Sequence, residues 1–205
     1  MMEQVDLWQL ERACWAEGYQ AVCGCDEAGA GPLAGALYAA AVLLPREVHL
    51  SGLNDSKKLA PKKREQLYDQ IRNQAVAWAV TQVEPEEIDA TDILSARMKA
   101  MQQAIDALSL APDLALVDGN RDHGRTAAIT SPHRTVVKGD SLSASIAAAS
   151  ILAKVSRDRY MEEMAQMYPQ YEFERHKGYP TRRHYELLRQ YGLCPIHRRS
   201  FLSKL

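Results

Sequence analysis

The sequence has little that is typical of a secreted, membrane-bound or zinc-binding protein. It has four cysteines and no C-x-x-C pair, which favours buried free thiols over zinc ligands. No apolar run is long enough to cross a membrane, and the acidic N-terminal stretch has no apolar core of the kind found in secretory leaders. We therefore expect a soluble, cytoplasmic protein that does not act at a membrane.

The chain also has no net positive charge. Its 205 residues carry a formal charge of −1, so a nucleic-acid partner would have to bind at local basic patches. Two such patches lie at residues 57–64 and 182–199, although basic residues on a helix more often form a solvated face. The length fits one domain, with a core of about residues 18–160 and a helical extension of about residues 161–205.

No Walker loop, H-E-x-x-H or G-x-S-x-G motif is present, so the sequence has none of these catalytic signatures. One dinucleotide-binding pattern, G-x-G-x-x-A, does occur at residues 29–34. The two acidic residues directly before it would repel a pyrophosphate, and no later strand carries a clear ribose-binding acid. We therefore disfavour a dinucleotide site, which would require a helix over residues 33–44.

The apolar pattern predicts helices and strands mixed along the whole chain. We expect helices at residues 4–17, 61–72, 90–110 and 141–168, and strands ending at Asp26 and covering residues 33–44, 76–83, 114–117 and 135–137. The C-terminal third is expected to be helical, with loops at residues 176–180 and 194–195. Such mixing indicates an α/β sheet flanked by helices.

Two adjacent acids, Asp26 and Glu27, close the first apolar strand. Burying ionised groups without a partner is costly, and on a strand these two side chains point to opposite faces. Gly29 and Gly31 follow directly; they permit a bend and let the backbone come close to a ligand. Carboxylates beside such a loop suggest a divalent cation that meets a phosphate group.

Two further acids, Asp118 and Asp140, follow later apolar strands. Strand ends gather at one edge of an α/β sheet, where ligands usually bind. Four carboxylates at such an edge suit Mg²⁺ or Mn²⁺. The alternative is that Asp118 and Asp140 are turn or helix-capping residues, and Asp140 in particular has the position of an N-cap.

Seven segments resemble those of bacterial ribonuclease HII in order and spacing: residues 25–35, 53–59, 117–121, 137–141, 147–155, 176–181 and 197–201. This resemblance covers nearly the whole chain. It implies an RNase H-like mixed sheet flanked by helices, with a C-terminal helical extension. It also implies a metal-dependent endonuclease that hydrolyses RNA in RNA/DNA hybrids and incises duplex DNA 5′ of an embedded ribonucleotide, leaving a 3′-hydroxyl and a 5′-phosphate.

The same resemblance assigns roles to particular residues. The metal-binding and catalytic residues would be Asp26, Glu27, Asp118 and Asp140, with Mg²⁺ or Mn²⁺ as the cofactor. The substrate-binding residues would be Gly29, Ala30, Gly31, Ser56, Lys57, Lys58 and Tyr179. In the family the first three contact the 2′-hydroxyl, the serine and lysines contact phosphate, and the tyrosine packs on the sugar.

Ala30 departs from the family pattern, which has Gly-Arg-Gly where this chain has Gly29-Ala30-Gly31. The missing arginine would help to hold a phosphate. Loss of such a charge-assisted hydrogen bond costs about 1.5–3 kcal/mol, or about ten- to hundredfold in rate if it acts in the transition state. We expect a weakened enzyme, unless Lys57 or Arg121 substitutes, and a monomer; the alternative is a hybrid-binding module without turnover.

Overall fold

Five strands form a single mixed sheet in the computed structural model, which describes residues 6–54, 56 and 59–203. The strands are β1 Val22–Ala28, β2 Leu37–Leu43, β3 Ala77–Val83, β4 Leu114–Asp118 and β5 His133–Val136. The helices are α1 Gln9–Ala16, α2 Pro61–Gln74, α3 Pro85–Ala90, α4 Ile93–Asp106, α5 Ala144–Met167, α6 Phe173–His176 and α7 Arg182–Tyr191. Short 3₁₀ turns cover Gly139–Ser141, Pro169–Tyr171 and Arg199–Phe201.

The strand order is β3-β2-β1-β4-β5. β1 pairs antiparallel with β2, and β2 with β3, whereas β4 and β5 run parallel to β1. The parallel pairing of β1 with β4 reaches Cys25 opposite Val117, while the pairing with β2 continues through Asp26 and Glu27. The carboxyl ends of β1, β4 and β5 therefore meet at one edge, and the acidic pair lies there.

Helices cover both faces of the sheet. α4 contributes Met98 and Met101 to the core on one face, and α5 packs on the other face together with α2. Gly24 lies where α5 crosses β1, and a Cβ built at this glycine would be 2.1 Å from the carbonyl carbon of Ser145. Only glycine fits such a backbone-to-backbone approach, which brings α5 directly against the strand that carries the acids.

Most of the expected elements are present, and their boundaries differ for local reasons. The strand expected at residues 33–44 is β2, so the helix that a dinucleotide site requires does not form. The helix expected at residues 90–110 begins instead at Ile93, because the side chain of Asp92 accepts a hydrogen bond from the backbone of Ser95 and caps it. The first helix is shorter than expected among the described residues; positions 4 and 5 lie outside them.

The helix expected from residue 141 begins at Ala144. Ser143 is its N-cap, with its Oγ 3.1 Å from the backbone nitrogen of Ile146. Asp140 belongs to the preceding 3₁₀ turn, so the N-cap interpretation of Asp140 is wrong for this helix. Asp140 therefore precedes this helix without capping it.

The C-terminal helices pack against the loop that follows the acidic pair. The amide of Leu33 donates to the carbonyl of Gly178, and the amide of Gly35 donates to the carbonyl of Ile196, both at 2.8 Å. Leu33 also belongs to a buried cluster with Phe173 of α6. Among the described residues, no helix combines the length and the apolarity needed to span a lipid bilayer.

Candidate active site

Asp26 and Glu27 point to opposite faces of the sheet, as expected of neighbours on a strand. The side chain of Asp26 accepts a hydrogen bond from Ser150 on α5. Glu27 faces α4, where Nη2 of Arg97 lies 2.8 Å from its Oε1. Each acid is therefore held by a different helix.

The environment of Asp26 disfavours its charged form. Its exposed fraction is 5%, and burial raises the pKa of the Asp26 carboxyl well above its ordinary value. The negative charges of Glu27 and Asp118 raise this pKa further, while hydrogen bonds from Ser150 and from the Glu27 amide oppose them. The carboxylates of β1 and β4 are thus close enough to repel each other at the sheet edge.

Asp118 is joined to the turn that carries Asp140. The amide of Gly139 donates to Oδ1 of Asp118 at 2.6 Å. A Cβ at Gly139 would lie 2.5 Å from Cδ1 of Ile146 and 3.2 Å from that same carboxylate oxygen, so a larger residue here would displace the Ile146 side chain and crowd the Asp118 carboxylate. Asp140 itself is buried. The structure therefore brings the turn of Asp140 against the end of β4.

The loop after the acidic pair combines a tight position with an exposed one. Gly29 has φ +99°, and a Cβ there would lie 2.1 Å from Nε of Arg157, so both conformation and space require glycine. Ala30 is half-buried and packs against the core on the α4 side. Gly31 is exposed, and a Cβ built on it would lie 3.9 Å from Cε1 of Tyr179.

Tyr179 has an exposed ring and a fixed backbone. The exposed fraction of this residue is 42%. Its amide donates to the carbonyl of His176 at 2.8 Å, and its carbonyl lies 3.0 Å from Nδ1 of His184. The structure therefore presents an aromatic face beside Gly31 at the surface.

Ser56 connects to the site through another serine. It is buried, and its Oγ lies 2.8 Å from the Oγ of Ser150, the residue that binds Asp26. Arg64 donates to the carbonyls of Ser56 and Leu59, at 3.0 and 2.7 Å. The expected phosphate contacts of Lys57 and Lys58 lie outside the described residues.

The donor chemistry at this edge fits a hard divalent cation. Carboxylate oxygens are the ligands that Mg²⁺ and Mn²⁺ prefer, and Mg²⁺ is commonly held by one or two protein carboxylates together with water and phosphate oxygens. Within the described part of the chain, no three His, Cys, Asp or Glu side chains are arranged around a common metal position. The mutual repulsion of Asp26 and Asp118 is what a bound cation would relieve.

Four residues that touch this site were not identified from the sequence: Arg97, Ser150, Arg157 and Arg198. Ser150 lies in the predicted helix at residues 141–168, in which no site residue was assigned, although a serine among alanine and isoleucine indicates that a polar partner is nearby. Nothing in the sequence distinguishes Arg97 and Arg157 from surface residues, because their partners are distant in the chain. Arg198 lies in the basic patch at residues 182–199, but the sequence does not show that it is buried.

The fold has a clear relative among solved structures. The crystal structure of the ribonuclease H2 from Pyrococcus horikoshii matches with a TM-score of 0.73 and 28% sequence identity, covering 88% of this chain and 93% of that one. This likeness confirms the expected mixed sheet flanked by helices. The fold and the acidic sheet edge define a nuclease of the ribonuclease H class.

Comparison with sequences gives the family. The model of the ribonuclease HII family matches residues 23–204. The ribonuclease HII of Caldicellulosiruptor saccharolyticus is 48% identical over 97% of this chain and 95% of its own length, and that of Pelodictyon phaeoclathratiforme is 56% identical over 88% of each. The chain belongs to the ribonuclease HII family and is an endonuclease that hydrolyses phosphodiester bonds.

Proposed function

We propose that the chain is a metal-dependent ribonuclease that hydrolyses the RNA strand of RNA/DNA hybrids and incises duplex DNA 5′ of an embedded ribonucleotide, leaving a 3′-hydroxyl and a 5′-phosphate. The observation that carries this proposal is that Asp26 and Glu27 lie at the end of β1, with Asp118 near Asp26, where the Gly29–Gly31 loop begins and Tyr179 lies beside Gly31. The acids would then act on the phosphodiester bond next to the nucleotide whose sugar contacts the loop and Tyr179.

In this proposal Asp26, Glu27, Asp118 and Asp140 would hold Mg²⁺ or Mn²⁺. When bound, such an ion supplies an activated water and neutralises charge on the phosphate and the leaving oxygen. Ser150 and the Glu27 amide orient the Asp26 carboxylate, and Arg97 fixes one oxygen of Glu27. The amide of Gly139 does the same for Asp118.

Recognition of the ribonucleotide would come from the loop and the ring. The backbone of Gly29, Ala30 and Gly31 can approach a 2′-hydroxyl because two of the three positions have no side chain. The Tyr179 ring, exposed and next to Gly31, offers a face on which a sugar and its base can pack. A 2′-hydroxyl is the group that separates RNA from DNA at such a position.

Phosphate binding is assigned to the segment at residues 56–58. Lys57 and Lys58 would supply point charges to the backbone of the duplex. Because the Ser56 hydroxyl is buried on Ser150, we propose that its side chain contributes by supporting the Ser150–Asp26 hydrogen bond.

Ala30 would lower activity relative to family members that have an arginine there. The methyl group of Ala30 leaves the loop backbone in place but offers no charge to a phosphate. We further propose that residues 161–205 form part of the same catalytic domain, since the Gly178 carbonyl and the Arg198 side chain hold the loop at residues 30–35. A monomeric state and a cytoplasmic location complete the proposal.

The test is cleavage of an RNA/DNA hybrid by the purified chain, with Mg²⁺ or Mn²⁺ and with all-DNA duplex as the control. We expect cleavage of the hybrid alone, abolished by a chelator and restored by either ion. Binding of the hybrid without cleavage under every metal condition would overturn the proposal in favour of a binding module.

A further inference from the structure

Two arginines, Arg157 and Arg198, are buried behind the loop at residues 29–36, which we call the glycine loop. Their exposed fractions are 1% and 0%. Fully buried arginine is rare unless its charge is paired, but both guanidinium groups bind backbone carbonyls of one short segment, residues 30–36. Both thus act on the loop that separates the acidic pair from β2.

Arg157, on α5, bridges two loops of the site. Its Nη2 donates to the carbonyl of Ala34 at 3.2 Å and to that of Lys177 at 3.1 Å, and its Nε donates to Ala36 at 3.2 Å. The guanidinium carbon lies 5.7 Å from the centroid of the Tyr179 ring. One rigid side chain therefore fixes the glycine loop relative to the loop that carries Tyr179.

Arg198 fixes the same segment from the C-terminal side. Its Nε and Nη2 donate to the carbonyl of Gly35 at 2.9 and 2.7 Å, and its Nη1 lies 3.0 Å from the carbonyl of Pro32 and 3.3 Å from that of Ala30. Its own amide donates to Leu33 at 2.8 Å. Arg198 thus binds residues 30, 32 and 33, and its contact to residue 35 lies between the two Arg157 contacts at residues 34 and 36.

Burying these two arginines lowers the stability of the fold, so stability does not explain their placement. Burial, together with the nearby charge of Arg157, lowers the pKa of Arg198 to about 9. Nη1 of Arg157 is a buried donor without a hydrogen-bond partner among the described residues. Two buried like charges and an unused donor are not what a sequence selected only for packing would retain.

We infer that Arg157 and Arg198 are positioning residues that hold the backbone of residues 30–36 and the Tyr179 ring in one arrangement around the ribonucleotide. The inference rests on the proposed function of that loop and ring. Arginine suits this task because its planar fork contacts several carbonyls at once, whereas lysine has a single flexible ammonium group.

The test is a double-mutant cycle between Arg157 and Tyr179 on a duplex with one embedded ribonucleotide. Arg157→Met should lower kcat/KM at least tenfold in the wild-type background. In the Tyr179→Ala background the same change should cost at least threefold less, because the ring that Arg157 positions is gone. An equal loss of kcat/KM in the two backgrounds, or no loss in the wild-type background, would overturn the inference.

Arg159→Met is the matched control, since Arg159 lies two residues away on α5 and pairs with Glu65 at the surface. It should leave kcat/KM within twofold. If circular dichroism shows that Arg157→Met is not folded, Arg157→Lys takes its place with the same criteria, because it retains the stem and the charge but not the fork.

Amide hydrogen exchange separates this inference from the proposed function. Arg157→Met should speed exchange of residues 30–36 at least tenfold while leaving β3 unchanged, whether or not the wild-type chain cleaves the duplex. Unchanged exchange in residues 30–36 would overturn the inference. Inactivity of the wild-type chain would instead count against the proposed function.

Discussion

Ser150 on α5 donates a hydrogen bond to Asp26 on β1 and lies 2.8 Å from the Oγ of Ser56. This chain of three residues connects the segment expected to bind phosphate to Asp26, which is the most buried of the four acids at the site. It also explains why α5 must pack directly on β1, which Gly24 allows. The orientation of the Asp26 carboxylate therefore depends on a helix in which no site residue was assigned from the sequence.

Replacing Ser150 should impair catalysis more than stability. Ser150→Ala removes a hydrogen bond to a carboxylate, which contributes about 1.5–3 kcal/mol, so kcat should fall about ten- to hundredfold if the orientation matters in the transition state. Steady-state cleavage of a hybrid at saturating metal measures this. Ser156→Ala on the same helix is the control, and an equal effect of both variants would show that α5 packing, not the bond, is responsible.

Restoring a charge at position 30 should accelerate the enzyme. Ala30→Arg is expected to raise kcat/KM on a hybrid about tenfold or more, because a charge-assisted contact to phosphate contributes about 1.5–3 kcal/mol. Ala30→Gln provides a side chain of comparable length without the charge and should leave the rate nearly unchanged. If the arginine variant is no faster than the glutamine variant, the proposed phosphate role of this position is wrong.

The buried histidines near Tyr179 should make the protein sensitive to acid. The amide of Cys194 donates to Nδ1 of His197, so Nε2–H of His197 donates to Nε2 of His184, and Nδ1–H of His184 donates to Tyr179. Every ring nitrogen of this pair has its partner only when both rings are neutral. Burial accordingly lowers the pKa of both His184 and His197 to about 4.

The folded-state pKa of each histidine is below its unfolded value of about 6.5. At pH values between these two pKa values, the unfolded chain therefore binds more protons than the folded chain. Stability from this pair is therefore complete above that unfolded value and is lost as pH falls towards 4. The free energy of unfolding should fall by up to about 1.4 kcal/mol per pH unit for each histidine. Urea titrations between pH 7.5 and 5 measure the slope, which His184→Gln should reduce and His49→Gln, at the exposed His49, should not.

Local chemistry made much of the fold predictable. The strands predicted to end at Asp26 and to cover residues 114–117 are short apolar runs followed by acids and turns. Both are present, although β1 continues to Ala28 and β4 includes Asp118. Boundaries were less predictable where a side chain decides them, as Asp92 and Ser143 do when they cap α4 and α5. Helix propensity alone predicted that both helices begin two residues before these caps.

The contacts that support the site could not be predicted from the sequence, for a different reason. Arg97, Arg157 and Arg198 meet partners that lie far along the chain, and single-sequence patterns report only near neighbours. An arginine bound to carbonyls has the same local sequence signal as an arginine in water. The acids were identifiable because an ionised side chain at the end of an apolar strand is costly to bury unless it has a partner.

The most direct test of the central claim is cleavage of a DNA duplex that contains one ribonucleotide, with the ends of both products identified. We predict one incision on the 5′ side of the ribonucleotide, which leaves a 3′-hydroxyl and a 5′-phosphate. Asp26→Asn should lower the rate at least a thousandfold, in line with the stabilisation that a metal centre supplies. Incision of all-DNA duplex at the same rate, or full activity of Asp26→Asn, would contradict it.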